Sequence, residues 1–287
     1  MMKYLNLHKD FTPLGGGATY IEHETFTFSG GEPHIKIKEE LENNDVVTIT
    51  TRMNSWDDLG ALAVAISALH ELRVYHLYLY MPYFPGGRQD RVMVSGEPLT
   101  VKVYADIIND MGFSGVTIFD PHSDVTAVLI DEVKVNTNHN FIHSVLETIE
   151  RSDNVFPILV SPDAGANKKV GALAKALGRD TVIKCDKTRE VSTGKITDFD
   201  VYKDDIKGQP CIIVDDICDG GGTFVGIAQE LKEKNAGDLY LAVSHGTFSK
   251  GVSHLQPYFK AIFTTDSIRN LTDGVLTFSH EELERNF

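Results

Sequence analysis

Short runs of β-branched and aromatic residues alternate along the chain with segments whose apolar positions recur every three or four residues. The runs are VVTITT (around 47–51), HLYLYMPY (76–83), VTIFD (116–120), PILVS (157–161), CIIV (211–214), LYLAVSH (239–245) and AIFTT (261–265). Strands spaced by helices predict an α/β fold with largely parallel sheets. Ser55-Trp56-Asp57-Asp58 has the form of a capping box, and Leu59, Leu62, Ile66 and Leu69 continue at helical spacing. Val103, Tyr104, Ile107, Ile108 and Met111 form a second stripe ended by Gly112. Val170, Leu173, Ala174 and Leu177 form a third ended by Gly178. All three stripes predict helix faces turned to a core.

Two segments bear on domain organisation. HNFIHSVLETIERSDNVF (139–156) predicts a helix and a polar turn, and it makes a seam between halves 1–142 and 143–287. Residues 186–208, DKTREVSTGKITDFDVYKDDIKG, are polar and aperiodic, which predicts a long loop or flap; loops of that length in a compact domain are more often functional than idle.

Composition narrows the classes. With 287 residues and 42% hydrophobic content, one large or two ordinary cores are expected, and a disordered chain is excluded. A formal net charge of −14 without any Lys/Arg run argues against a nucleic-acid partner. The three cysteines, Cys185, Cys211 and Cys218, have no Cys-x-x-Cys spacing and read as buried small hydrophobes in a reducing compartment. MMKYLNLHKDF has no signal-peptide apolar region, and no 18 apolar residues run together, so a cytoplasmic protein with no membrane partner is expected.

The chemistry concentrates in CIIVDDICDGGGTFVGIAQELKEK (211–234). A strand runs into Asp215 and Asp216, then into Asp219, Gly220, Gly221, Gly222 and Thr223, and then into a helix carrying Phe224, Ile227, Ala228 and Leu231. Side-chain-free backbone at a helix start lets N–H groups converge on an anion at the positive end of the helix dipole. Two acids at the strand end can accept hydrogen bonds from adjacent hydroxyls and help hold a divalent cation. The combination predicts a ribose phosphate site. A Walker lysine and a G-x-G-x-x-G fingerprint are both missing, so neither an ordinary ATPase nor a dinucleotide enzyme is indicated. The competing interpretation is a glycine-rich turn with solvated acids.

IIVDDICDGGGT resembles the phosphoribosyl-diphosphate motif of phosphoribosyltransferases and ribose-phosphate diphosphokinases (PRPP synthetases). YMPYFPGGRQDR, GEPLTVKVYADII, DPHSD, VSPDAGANKKV, DKTR and SHGTFSKG resemble the diphosphokinases in order and spacing from about residue 28 to 268. That resemblance implies two tandem phosphoribosyltransferase-like α/β domains, Mg²⁺, and a homo-oligomer from dimer to hexamer. It also implies transfer of the β,γ-diphosphoryl group of ATP to the anomeric hydroxyl of a ribose 5-phosphate, with release of AMP. Lys187 and Arg189 are then the catalytic cations. Phe28, Glu32, Arg88, Gln89, Asp90 and His122 contact ATP, with Phe28 and Glu32 reaching into a neighbouring subunit. Asp163, Asp215, Asp216, Asp219, Gly220, Gly221, Gly222 and Thr223 hold the ribose phosphate, while Asp120, His122, Asp163 and Asp215 serve the metal. Against each stands an ordinary alternative: a solvated loop cation, a surface ion pair, a satisfied histidine. Lys168 and Lys169 read as helix surface.

Three departures from the family pattern stand out. Gly220 replaces a threonine whose hydroxyl binds the 5-phosphate, a charge-assisted hydrogen bond of about 1.5–3 kcal/mol. The lost donor and the opened space suit a substituted 5-phosphate, as in ADP-ribose, and resemble a phage-associated branch that diphosphorylates ADP-ribose in rebuilding NAD. Gly30 in FSGGE stands where an acid is common. VMVSG after Arg91 lacks the basic residues that bind regulatory phosphate, which predicts little dependence on inorganic phosphate. Two other classes stay open: a non-catalytic nucleotide-binding regulator of a synthetase, and a phosphoribosyltransferase using the same cradle.

Overall fold

The computed structural model describes residues 2–14, 17–189 and 196–284, and the chain divides into two compact units, 1–137 with 279–287, and 138–278. The first unit contains β1 (Met2–Asn6), β2 (His23–Thr27), β3 (Pro33–Ile37), β4 (Val46–Thr50), α1 (Trp56–Glu71), β5 (His76–Tyr80), α2 (Thr100–Asp110), β6 (Gly115–Phe119), α3 (Asp124–Leu129) and β7 (Val133–Asn136). Its main sheet has the order β1-β4-β5-β6-β7, and every pair is parallel. β2 and β3 form a separate antiparallel ribbon. Parallel strands joined by helices bury both faces, which is why Val47, Ile49, Leu77, Leu79, Val116 and Ile118 are all at most 3% exposed.

α1 starts as its sequence predicts. Ser55 caps the Asp58 N–H, and the Asp58 carboxylate accepts from the Ser55 N–H at 2.8 Å, a reciprocal box that satisfies two otherwise orphaned donors. Leu59, Leu62, Ile66 and Leu69 face the core.

The second unit contains α4 (His139–Asp153), β8 (Ile158–Ser161), α5 (Asn167–Ala176), β9 (Val182–Arg189), β10 (Ile196–Val201), β11 (Cys211–Cys218), α6 (Gly222–Glu233), β12 (Leu239–Gly246), β13 (Ala261–Thr265) and β14 (Leu276–Phe278). The sheet order is β10-β9-β8-β11-β12-β13-β14, parallel except for β10 against β9. The division between units falls before α4. That helix buries Phe141, Ile142, Val145 and Leu146, and Phe141 meets Phe278 of the same unit edge-on at 5.7 Å. A seam at 142/143 would cut through the helix. The last described helix, α7 (His280–Glu284), belongs to the first unit, where the His280 ring stands edge-on to Phe119 at 5.0 Å.

The expected loop over 186–208 is largely a hairpin. β9 continues beyond its pairing with β8 and turns back as β10, with Lys187 opposite Phe199 and Cys185 opposite Val201. The Phe199 ring packs over Gly226 of α6, where an added Cβ would lie 2.0 Å from it. β10 is the outermost strand of the sheet, and its short alternation of Asp198-Phe199-Asp200-Val201 is set among polar residues, so the segment resembles a loop. Residues 190–195 of that expected flap lie outside the described residues. Among the described residues, no helix is long and apolar enough to cross a membrane.

Candidate active site

The predicted cradle forms at the carboxyl end of β11, where open α/β sheets bind ligands. The strand's early residues are fully buried, and Gly221, with φ of +74°, makes the left-handed turn into α6. An added Cβ at Gly221 would sit 2.8 Å from both His254 Nε2 and Leu255 Cδ2, so backbone conformation and space both demand glycine. His254 Nε2 donates to the Gly220 carbonyl at 3.0 Å and braces the turn from outside. Gly222 and Thr223 open the helix with no backbone acceptor for their N–H groups among the described residues, leaving two donors at its positive end.

Register brings the acids together. β11 pairs with β8 only as far as Ile213 opposite Val160, so Asp215 and Asp216 extend level with the turn that follows Ser161 and carries Asp163. Asp215 accepts from the Asp216 N–H at 2.9 Å, and Lys169 Nζ lies 3.9 Å from Asp216 Oδ2. Burial, and then the charges of Asp216 and Asp163, raise the Asp215 carboxyl well above the ordinary range. Asp163 behaves oppositely. Burial pushes it up, but the Lys187 ammonium bonded to its Oδ2 and the Ala166 N–H at 3.0 Å more than offset this, and its pKa is lowered. Lys169 thus contacts an acid of the site, rather than being surface only.

Lys187 therefore reaches the acid cluster from β9. The backbone of Arg189 pairs with Ile196 at the hairpin end, and its side chain lies outside the described residues.

The first unit gathers its own set. Arg88, Gln89, Asp90, Arg91, Met93 and Glu97 line a cleft after β5. Arg91 Nε donates to Asp90 Oδ1 at 3.0 Å, and this bond leads the causes that lower the Asp90 pKa, with smaller contributions from Ser123 and His122. RQD and DPHSD therefore meet, as the close approach of His122 to Gly87 also shows. Asp120 is 5% exposed at the end of β6, with φ of +37° and its N–H bonded to the Asn136 carbonyl. At the tip of the β2–β3 ribbon the Phe28 N–H bonds the Glu32 carbonyl at 2.9 Å, and the half-exposed Phe28 ring stands 5.0 Å from Phe26 and 5.6 Å from His34. A side chain at Gly30 would meet the Glu32 carboxylate at 2.6 Å, so the glycine makes room for that acid.

No three His, Cys, Asp or Glu side chains among the described residues form a metal cage. Mg²⁺ does not require one, because it keeps waters and takes one or two carboxylates together with substrate phosphates. Asp215 and Asp216, adjacent at the end of β11, fit that donor set. Burial pushes the thiols of Cys185, Cys211 and Cys218 up to about 12, which makes them inert packing groups. Sequence reasoning missed two residues that border the cradle, Lys250 and His254. Both lie on a later loop: Lys250 falls inside SHGTFSKG, a stretch that resembles the family without singling out that lysine, and nothing local in VSHL marks His254.

A strand, a glycine turn braced on its outer side, and paired acids beside it are the features of a phosphoribosyltransferase-like domain, here preceded by a second α/β domain. The family model for the N-terminal domain of ribose phosphate pyrophosphokinase matches residues 12–112, and that for the phosphoribosyl transferase domain matches residues 134–275. A ribose-phosphate pyrophosphokinase of Haemophilus ducreyi is 32% identical over 84% of this chain and 77% of its own length. One from Vibrio cholerae has the same identity and coverage. The crystal structure of phosphoribosylpyrophosphate synthetase from Mycobacterium smegmatis superposes with a TM-score of 0.82 at 21% identity, covering 99% of this chain and 96% of that one. The chain belongs to the ribose-phosphate pyrophosphokinase family, and it is a transferase.

Proposed function

We propose that the protein moves the β,γ-diphosphoryl group of ATP to the anomeric hydroxyl of a ribose-phosphate acceptor and releases AMP. The observation that carries this reading is the joining of the braced glycine turn, Asp215 and Asp216, and Lys187 on one end of one sheet. The turn's free N–H groups bind the acceptor's phosphoryl oxygens. Asp215 and Asp216 accept from its diol and orient the anomeric hydroxyl for in-line attack on the β-phosphorus of ATP. Lys187, with Arg189, neutralises charge on the transferring group, exchanging its bond to Asp163 for bonds to phosphoryl oxygens. Bound Mg²⁺ would neutralise phosphate charge, and Asp120, His122, Asp163 and Asp215 are the residues that would hold it. Arg88, Gln89, Asp90 and His122 bind ATP, and Phe28 and Glu32 contact its adenine in a neighbouring copy within a homo-oligomer.

The acceptor is ADP-ribose in preference to ribose 5-phosphate. Gly220 provides no hydroxyl for a terminal phosphate dianion, and its flank carries only hydrogen where the flexible Lys250 stem lies. Incubating the protein with Mg²⁺, ATP and each acceptor, and following AMP, tests both levels. AMP release with either acceptor supports diphosphoryl transfer, whereas a preference for ribose 5-phosphate removes the substituted-acceptor reading. A regulator without activity would release AMP with neither.

A further inference from the structure

The flank of Gly220 is bordered by one side chain of this protein. A Cβ built on Gly220 lies 3.4 Å from Cε, 3.5 Å from Cδ and 3.9 Å from Cγ of Lys250. The stem of Lys250 thus lies along the flank of Gly220, with the ammonium one bond beyond Cε. The loop carrying it is fixed to the cradle through the backbone. The N–H groups of Thr247 and Phe248 both bond the Cys218 carbonyl at 3.0 Å, and the Ser249 N–H bonds the Asp219 carbonyl at 3.1 Å. Phe248, with φ of +43°, is buried at 2% exposure, which anchors the turn that presents Lys250. Lys250 is exposed and has neither a hydrogen bond nor an ion pair among the described residues.

We propose that Lys250 is a specificity-determining residue that binds the second phosphoryl group of a diphosphate ester of ribose, reaching it from a stem that lies along the flank of Gly220. The inference rests on the acceptor reading above and deepens it. A terminal 5-phosphate is already served by the N–H groups at the start of α6. A diphosphate carries a further anionic phosphoryl group outward along the same flank, where a mobile ammonium with three donors can follow it. Lysine suits this position because the partner is a point of charge rather than a planar group.

The test compares Lys250→Met, which keeps the alkyl stem and removes the charge, with Lys250→Arg, which restores it. KM is measured for ADP-ribose, ribose 5-phosphate and ATP in the parent and both variants. Lys250→Met raises the KM for ADP-ribose on the order of tenfold or more, the loss of one charge-assisted hydrogen bond. The KM for ribose 5-phosphate rises by less than about threefold on the same scale, and Lys250→Arg recovers most of the loss. Equal changes for both acceptors, or none for ADP-ribose, overturn the assignment of Lys250. The parent tests the underlying reading separately: a parent that prefers ribose 5-phosphate refutes the substituted acceptor whatever the variants do.

Discussion

Replacing Gly221 by alanine tests the architecture of the cradle, and Gly222→Ala provides its control. At Gly221, φ of +74° lies in the left-handed region, which costs a residue with a Cβ about 1–2 kcal/mol. The new Cβ would also meet His254 Nε2 and Leu255 Cδ2 at 2.8 Å, so the imidazole must leave the Gly220 carbonyl or the buried leucine must shift. Overpacking of that kind adds about 1–3 kcal/mol, for a total near 2–5 kcal/mol. At Gly222 φ is not positive and no atom lies within 4 Å of an added Cβ. Because it is a helical position, alanine should there be neutral or stabilising by about 0.5–1 kcal/mol. The assay is denaturation followed by circular dichroism, with amide hydrogen exchange of α6 to localise the effect. The reasoning is refuted if the two variants lose stability equally, or if Gly221→Ala leaves α6 protection unchanged.

Other outcomes follow from the same geometry. Lys187→Ala should lower kcat for AMP release by about 100-fold or more, in the range for removing one stabiliser of developing charge, while the fold persists. Asp215→Asn should raise the melting temperature at pH 8. The folded pKa of Asp215 lies above its unfolded value, so its contribution to stability falls as pH rises through the folded pKa, and the gain should vanish below the ordinary carboxylate range. An Asp215→Asn variant less stable at pH 8 than at pH 4, relative to parent, would contradict that sign. Asp163 runs the other way: its lowered pKa gives stability that is present above the unfolded value and lost as pH falls through the folded one, so Asp163→Asn should destabilise most at neutral pH. Activity in phosphate-free buffer should match that with added phosphate, since VMVSG offers no basic residue after Arg91; strong activation by phosphate would contradict this.

The sequence made the cradle legible because its signals are local. An apolar strand, acids at its end, and glycines before an apolar-periodic helix each have a mechanism at short range, as does the box that starts α1. Pairs distant in sequence were not legible. Nothing in DKTR says that Lys187 will meet Asp163, because that depends on β9 running past the end of β8. The hairpin itself was hidden because the alternation in β10, Phe199 and Val201 between aspartates, is only four residues long within a polar segment. Lys250 lies in SHGTFSKG, which resembles the family but assigns that lysine no role, and backbone bonds from its loop to Cys218 and Asp219 place it beside Gly220. His280 lies in a polar stretch of sequence, and its packing against Phe11, Tyr80 and Phe119 belongs to the first unit.

The central claim, that a diphosphoryl group is transferred intact to a sugar bound at the glycine turn, is most directly tested by phosphorus NMR of a reaction with ATP, Mg²⁺ and ADP-ribose. The account predicts that AMP and a new anomeric diphosphate appear together in equal amounts, and that both disappear in Lys187→Ala. Formation of ADP with a singly phosphorylated sugar, or ATP turnover that leaves the anomeric carbon unmodified, would contradict it.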